Sequence, residues 1–356
     1  MQKLSRLVIT VALATSACHK DSPPPAADQA KDTAPRPDPL APPKEPVATS
    51  PKAPKGIPYD PPPSADNPWT VEKAALGKQL FFDKRLSKDG SAACEGCHYQ
   101  DKGWTDNLPF STKVGGEVNT RNTPSLYNVG YQNAWYWDGR ATTLEGNALA
   151  AWKGQLGADP AVVSATIDSI PGYHDAFQKA FGAPASADTI SKALAAYLRT
   201  IVSGDSAWDR YEAGDKSAVS ADAIAGYQVF TAKAQCVLCH VPPLYTDGLF
   251  HNIGIEAGKA KPDVGRFKVS NDEKDTSAFK TPSLRAAAHS APYFQDASAA
   301  TLEDAVKFMA GGGKPDPHLD QRLKNANLSD QEIKQVVAFL QALGDTPDKL
   351  EKPTLP

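Results

Sequence analysis

Four of the five cysteines in this 356-residue chain fall in two short runs, Cys94-Glu95-Gly96-Cys97-His98 and Cys236-Val237-Leu238-Cys239-His240. Two thiols three positions apart with a histidine directly after them form the attachment signature for c-type haem. The thiols add to the haem vinyl groups and the histidine becomes the proximal iron ligand. At this composition one such pentapeptide arises by chance with odds of about one in a thousand, so two are not an accident. A thioredoxin-like redox pair needs one Cys-x-x-Cys in a βαβ setting and no following His. A four-thiol zinc site would leave both histidines unexplained. Cys94, Cys97, His98, Cys236, Cys239 and His240 are therefore read as holding two covalently bound haem c groups, with His98 on the first iron and His240 on the second.

The elements that must position these residues are helical. Thr70 opens a run through Ala74, Leu76, Leu80 and Phe81, and Ser220 opens a similar run through Ile224 and Phe230. Each has a capping residue, helical apolar spacing and an aromatic end shortly before its Cys pair. That order reads as an old duplication giving two cytochrome c-like helical domains. A further helix is expected over residues 189–203, with Gly204 as its stop. Thr301 starts a capped helix whose apolar face includes Leu302, Ala305, Val306 and Met309, and Ser329-Asp330-Gln331-Glu332 is a capping box for another. Alternating strand patterns are scarce, so the fold class is mainly α.

The N-terminus is read apart from that fold. Residues 1–18 have a basic start, an apolar run from Leu7 to Ala14 and small residues before Cys18. This reads as a secretory signal too short to span a membrane; small residues directly before a Cys resemble a lipoprotein signal, with Cys18 as the lipidated residue, and ordinary cleavage nearby is the alternative. Residues 19–68 hold 16 of the chain's 31 prolines and read as a disordered Pro-rich linker. The expected organisation is then 69–205 as the N-terminal haem domain, 206–345 as the C-terminal one and 346–356 as a tail. Covalent haem agrees with export to the periplasm, where the lipid would anchor the protein to a membrane. A hydrophobic fraction of 41%, a charged fraction of 22% and a net charge of −3 describe a globular protein and give no reason to expect nucleic acid as a partner.

The order of motifs over residues 69–345 resembles the bacterial di-haem cytochrome c peroxidase family, which includes the MauG-type enzymes. Its carriers are Leu76-Gly77-Lys78-Gln79-Leu80-Phe81-Phe82-Asp83, Arg121-Asn122-Thr123-Pro124-Ser125-Leu126 and Trp137-Asp138-Gly139-Arg140. After the second haem motif come Phe250-His251-Asn252-Ile253-Gly254, Lys280-Thr281-Pro282-Ser283-Leu284-Arg285 and Ala291-Pro292-Tyr293-Phe294. The resemblance implies a peroxide site at the N-terminal haem and an electron-storing C-terminal haem, with Trp137 relaying between them. It implies a calcium ion held by Asn122 and the backbone carbonyls of Lys280 and Pro282. It also places Met309 as the sixth ligand of the second iron; from spacing alone this Met would be core filling.

Three departures from the family pattern bear on the chemistry. No His occurs from Tyr99 to Thr120, where many relatives carry one that caps the resting first iron, and His174, His251, His289 and His318 do not match that position. The first iron is thus expected to be open. The family's distal Glu is absent as well; Gln155 stands nearest its place, with Asp159 next, and an amide positions peroxide without shuttling a proton. Gln295 stands where a His is usual.

The resemblance implies hydrogen peroxide as substrate and a small c-type cytochrome or cupredoxin as electron donor, in a cytochrome-c peroxidase reaction. A MauG-type oxidase acting on Trp or Tyr of a partner protein is the alternative, and a non-enzymatic di-haem electron carrier is the third reading. The sequence leaves open whether the chain forms a homodimer, as relatives often do.

Overall fold

The computed structural model describes residues 50–344 and 351–356. The signal segment, Cys18 and most of the Pro-rich stretch lie outside the described residues. The first half carries α1 (Val71–Phe82), α2 (Leu144–Gln155), α3 (Pro160–Asp168), α4 (Pro171–Phe181) and α5 (Ala187–Leu198). The second carries α6 (Ala207–Glu212), α7 (Ala221–Gln228), the short α8 (Phe267–Ser270), α9 (Leu302–Ala310) and α10 (Asp330–Ala342). One antiparallel pair, β1 (Phe250–His251) with β2 (Phe279–Lys280), accompanies them. The architecture is mainly helical.

Local chemistry starts most of these helices where the sequence places them. Thr70 accepts from the Lys73 amide at the head of α1, and Ser220 does the same for Ala223 at the head of α7. Thr301 with Asp304 and Ser329 with Glu332 form reciprocal capping boxes on α9 and α10. The helix expected over 189–203 differs at both ends. It opens at Ala187 behind a Ser186–Thr189 box and stops at Leu198. Beyond it the backbone turns to tertiary partners: the Ile201 carbonyl accepts from Asn128 N–H at 2.9 Å and Ser203 N–H donates to Asn128 Oδ1 at 3.0 Å.

Two apolar clusters fill the body. The first gathers Leu76, Leu80, Phe81, Trp152, Ile190 and Leu194, and the second gathers Trp208, Phe230, Tyr245, Val336, Phe339 and Leu340. Each is organised on one intimate helix crossing, and the two crossings are equivalent. A Cβ on Gly77 of α1 would sit 1.9 Å from the Ala193 carbonyl oxygen of α5. A Cβ on Gly226 of α7 would sit 1.9 Å from the Gln335 carbonyl oxygen of α10. Only glycine lets these backbones touch.

The halves join through segments that repeat each other. Asn122 and Lys280 each precede Thr-Pro-Ser-Leu, and Trp137 and Gln295 each precede an Asp. Asn122 N–H donates to the Gln295 carbonyl at 2.7 Å, and Lys280 N–H donates to the Trp137 carbonyl at 2.8 Å. The exchange is reciprocal, as at a two-fold axis. The flanking turns match too: bridges join Trp135 to Ala141 and Tyr293 to Ala299. Tyr136 and Phe294 both take positive φ, at 66° and 70°.

Residues 50–68, assigned by composition to the disordered linker, correct that boundary because they are packed on the body. Ile57 is buried, and the Asn67 amide donates to Glu145 Oε1 at 2.8 Å and to the Lys192 carbonyl at 3.0 Å. Arg285 Nη2 donates to the Gly56 carbonyl at 3.2 Å while the same guanidinium grips Asp209 at 2.8 Å through two bonds. Such burial gives this Pro-rich stretch the partners that its composition does not advertise. Residues 351–356 also lie against the first half: Lys352 pairs with Glu95 at 2.7 Å and Gln79 Nε2 donates to the Thr354 carbonyl at 3.2 Å.

Gly77→Val and Gly226→Val should each destabilise the haem-loaded protein by roughly 3 kcal/mol, the upper end for forcing methyl groups into a packed crossing. Gly154→Ala on α2, where an added Cβ meets nothing within 4 Å, serves as the control and should be neutral or slightly stabilising. Thermal unfolding decides it, and equal midpoints for all three would remove the glycine contacts from the account.

Candidate functional site

Each Cys-x-x-Cys-His run begins in a single 3₁₀ turn, Cys94–Gly96 and Cys236–Leu238. The chain then doubles back so that a carbonyl faces the histidine. His98 Nδ1 lies 2.9 Å from the Trp104 carbonyl oxygen, and His240 Nδ1 lies 2.9 Å from that of Tyr245. Both residues whose carbonyls accept sit in left-handed backbone, Trp104 at φ 61° and Tyr245 at φ 53°. Large side chains rarely adopt it, so tertiary packing holds the turns in place. A carbonyl at Nδ1 demands the Nδ1–H tautomer and leaves Nε2 with a free lone pair, the state a metal needs. Burial pushes both imidazoles below their usual pKa, with the carbonyl hydrogen bonds opposing it. Both shifts favour the neutral imidazole.

The four thiols form no disulfide. Burial pushes Cys94 up to about 12 and Cys236 up to about 11. A thioredoxin-type pair needs the opposite shift, so these thiols do not suit disulfide exchange. Cys97, His98, Cys236, Cys239 and His240 line one continuous cavity of 1260 Å³. Single-ligand pockets run to about 1,000 Å³. Apolar Phe110, Leu126, Val129, Phe230, Val306 and Leu340 share the wall. Paired thiols, free imidazole nitrogens and an apolar wall on both sides fit two haems.

Trp137 stands where the halves meet. Its indole N–H donates to the Asn122 carbonyl at 2.9 Å, while its own carbonyl takes the Lys280 amide. The following Asp138 is 3% exposed and accepts from Arg121 at 2.7 Å and Arg140 at 3.0 Å. Arg121 also reaches Asp263 of the second half at 2.7 Å. Burial raises the Asp138 pKa but the two guanidinium partners outweigh it, so the carboxylate stays charged.

A family model described as di-haem cytochrome c peroxidase matches residues 71–217. The methylamine utilization protein MauG of Methylorubrum extorquens is 38% identical over 311 residues, covering 86% of each chain. Cytochrome c551 peroxidase of Nitrosomonas europaea is 34% identical over 299 residues, covering 82% of this chain and 86% of that protein. Among solved structures, a MauG-like protein associated with microbial copper homeostasis superposes with a TM-score of 0.76 at 31% identity, covering 82% of this chain and 95% of that one. The chain belongs to the di-haem cytochrome c peroxidase family. Two haem c groups are the cofactors of that family, and the paired pockets above accord with them.

In the family context the structure sharpens the departures. Gln155 ends α2 and lines the cavity, locked to Asn119 by reciprocal amide bonds of 2.8 and 3.2 Å. Asn147 and Ala151 line it from the same helix. Sequence reading missed them, although the spacing 147, 151, 155 puts all three on one face. Asp159 instead caps α3, accepting from the Ala161 amide at 2.9 Å. No other acid replaces the missing Glu. Asp138, Glu256, Asp263, Asp296 and Asp320 are the carboxylates in the wall among the described residues, and each has a cationic partner. Gln295 is buried and donates to Glu256 Oε1 at 2.9 Å.

Met309 lines the cavity from α9. The repeat assigns its counterpart: counting from the capping Thr143 and Thr301, Met309 stands where α2 has Ala151. Asn122 presents its amide nitrogen to the Leu108 carbonyl at 2.8 Å. Lys280 and Pro282 line the same cavity from the facing half. Burial pushes the Lys280 ammonium down to about 7.

Replacing Cys236 and Cys239 by Ser should halve the covalently bound haem, from two per chain to one, in a pyridine haemochrome assay on denatured protein. Retention of both would exclude the second pocket as an attachment site.

Proposed function

We propose that the chain is an exported di-haem peroxidase that reduces hydrogen peroxide with electrons from a small c-type cytochrome or cupredoxin. Its two pockets would do different work. The observation that carries this is the exchange of Ala151 for Met309 at equivalent helix positions. A methyl group at Ala151 would leave room for peroxide in the His98 pocket, whereas the Met309 thioether would be available as a ligand to a haem held by His240 and would raise its potential. Bound haem supplies the redox chemistry: peroxide accepts two electrons and two protons and leaves as two waters.

The chain's own residues prepare those events. His98 and His240, neutral and oriented by carbonyls, are the proximal ligands. Gln155, held by Asn119, offers an amide to orient peroxide at the first pocket. Trp137, held by Asn122 in its own half and by Lys280 across the interface, would supply the aromatic system between the pockets. A calcium ion on Asn122 Oδ1 and the carbonyls of Lys280 and Pro282 would brace that junction, an oxygen set suited to a hard cation. Lipidation at Cys18 would hold the enzyme at a periplasmic membrane surface.

A MauG-type reaction on Trp or Tyr of a partner protein is the second reading. It is favoured by the absence of any His over residues 99–120 and by 38% identity to a protein named MauG. Ferric spectra and electron paramagnetic resonance, followed by peroxide with and without reduced cytochrome c, separate the readings. One high-spin and one low-spin haem with rapid donor oxidation support the peroxidase. A persistent oxidised state that ignores the donor supports the second reading. Two low-spin haems inert to peroxide overturn both.

Two substitutions probe the roles. Met309→Ala should convert only the low-spin signal, and unchanged spectra would refute its ligation. Gln155→Glu should speed the peroxide reaction, by about a hundredfold if it restores a proton shuttle. A slower or equal rate in stopped-flow measurements would place the acid–base group elsewhere.

A further inference from the structure

Among the described residues, the lysines and arginines of the cavity wall are either paired with a carboxylate or exposed, except for one. Arg121, Arg140, Lys259, Arg285 and Arg322 each face a carboxylate. Lys261, Lys268 and Lys324 are exposed and rely on water. Lys280 has neither. It sits on β2 in the wall between the halves, and its Nζ donates to the Ala134 carbonyl at 3.0 Å and to Gln132 Oε1. Both acceptors are neutral, and both lie on the first-half loop that leads into Trp137. An ammonium carries three donors, so one remains for a further partner. Enclosing a cation against neutral oxygens alone is costly, and buried charges are found with a counter-charge. Each carboxylate in the wall is already engaged by another cation, with Glu256 and Asp296 sharing Lys259 and Asp138 and Asp263 sharing Arg121, so a counter-charge for Lys280 is left to what the cavity holds.

Haem carries two propionate carboxylates at one edge and is otherwise apolar. Resting on the reading that this cavity holds two haems, we propose that the Lys280 ammonium is the counter-ion of a haem propionate, tying that haem's edge to Gln132 and Ala134 across the interface. Lys280 then acts as a positioning residue on two levels. Its backbone N–H holds the Trp137 carbonyl, and its side chain fixes a haem edge beside the same loop. A fixed positive charge there favours the reduced iron, so removing it should lower that haem's potential.

The test compares K280M and K280Q with K280R in the full haem-loaded chain. Pyridine haemochrome first counts the haems; fewer than two in the wild-type protein would defeat the two-haem reading itself, separately from this proposal. With two present, spectroelectrochemistry should show one midpoint potential falling in K280M and K280Q, the other unmoved, and K280R close to wild type. The propionate bending mode of the same haem should shift in resonance Raman spectra. Unchanged potentials, or a fallen potential with unmoved propionate modes, overturn the assignment. Should the uncharged variants fail to accumulate, a crystal structure of the wild-type holoprotein decides. Nζ within about 2.9 Å of a propionate oxygen supports the pairing; propionates directed elsewhere overturn it.

Discussion

The Asn122 amide on the Gln295 carbonyl, and the Lys280 amide on the Trp137 carbonyl, are two ordinary backbone bonds on which the arrangement of the site depends. They are the same bond made twice, once from each half, and they bring both haem-attachment runs onto one cavity. Arg121 reinforces them by reaching Asp138 in its own half and Asp263 in the other. Because that ion pair is partly buried and shared between two carboxylates, separating the halves would strand charge as well as break hydrogen bonds. The relative placement of the two pockets is therefore stiff. Two redox centres working in series need that.

Duplication explains the scaffold, and departures from it mark the chemistry. Gly77 and Gly226, Thr143 and Thr301, Trp104 and Tyr245, and the two Thr-Pro-Ser-Leu segments serve matched purposes in the two halves. Trp137 against Gln295 and Ala151 against Met309 do not match. Side chains that build a helix crossing or a turn must stay alike because the backbone geometry is shared. Side chains that face the cavity are free to diverge, and under the proposed function these differences would let one fold hold two unlike centres.

The wall is also notable for having its acids neutralised. Glu256 is shared by Gln295, Lys259 and the Asp263 amide, and Asp320 by Arg322 and His251. The Arg322 guanidinium holds the Asp320 carboxyl well below the usual carboxylate range, so that group is a poor proton donor. An amide at Gln155 in place of an acid thus fits a wall whose charges stabilise structure and leave proton movement to water or to the substrate.

Much of this was legible in the residue string because the decisive signals are local. A Cys-x-x-Cys-His run carries its chemistry within five residues, and a capping Thr or Ser marks a helix start within four, as at Thr70, Ser220, Thr301 and Ser329. Signals that depend on distant partners were not legible. Beyond the end of α5 at Leu198 the chain is drawn to Asn128, which takes the Ile201 carbonyl, and the order of residues 50–68 follows from Arg285, Glu145 and Lys192. The full set of paired carboxylates and the acid-free ammonium of Lys280 likewise appear only when segments more than a hundred residues apart meet. By itself the sequence determined two haem-attachment sites on a helical duplication, because covalent ligation and helix initiation are short-range. Only the tertiary structure decided which groups face one another across the cavity, because charge pairing and desolvation are set by proximity in space.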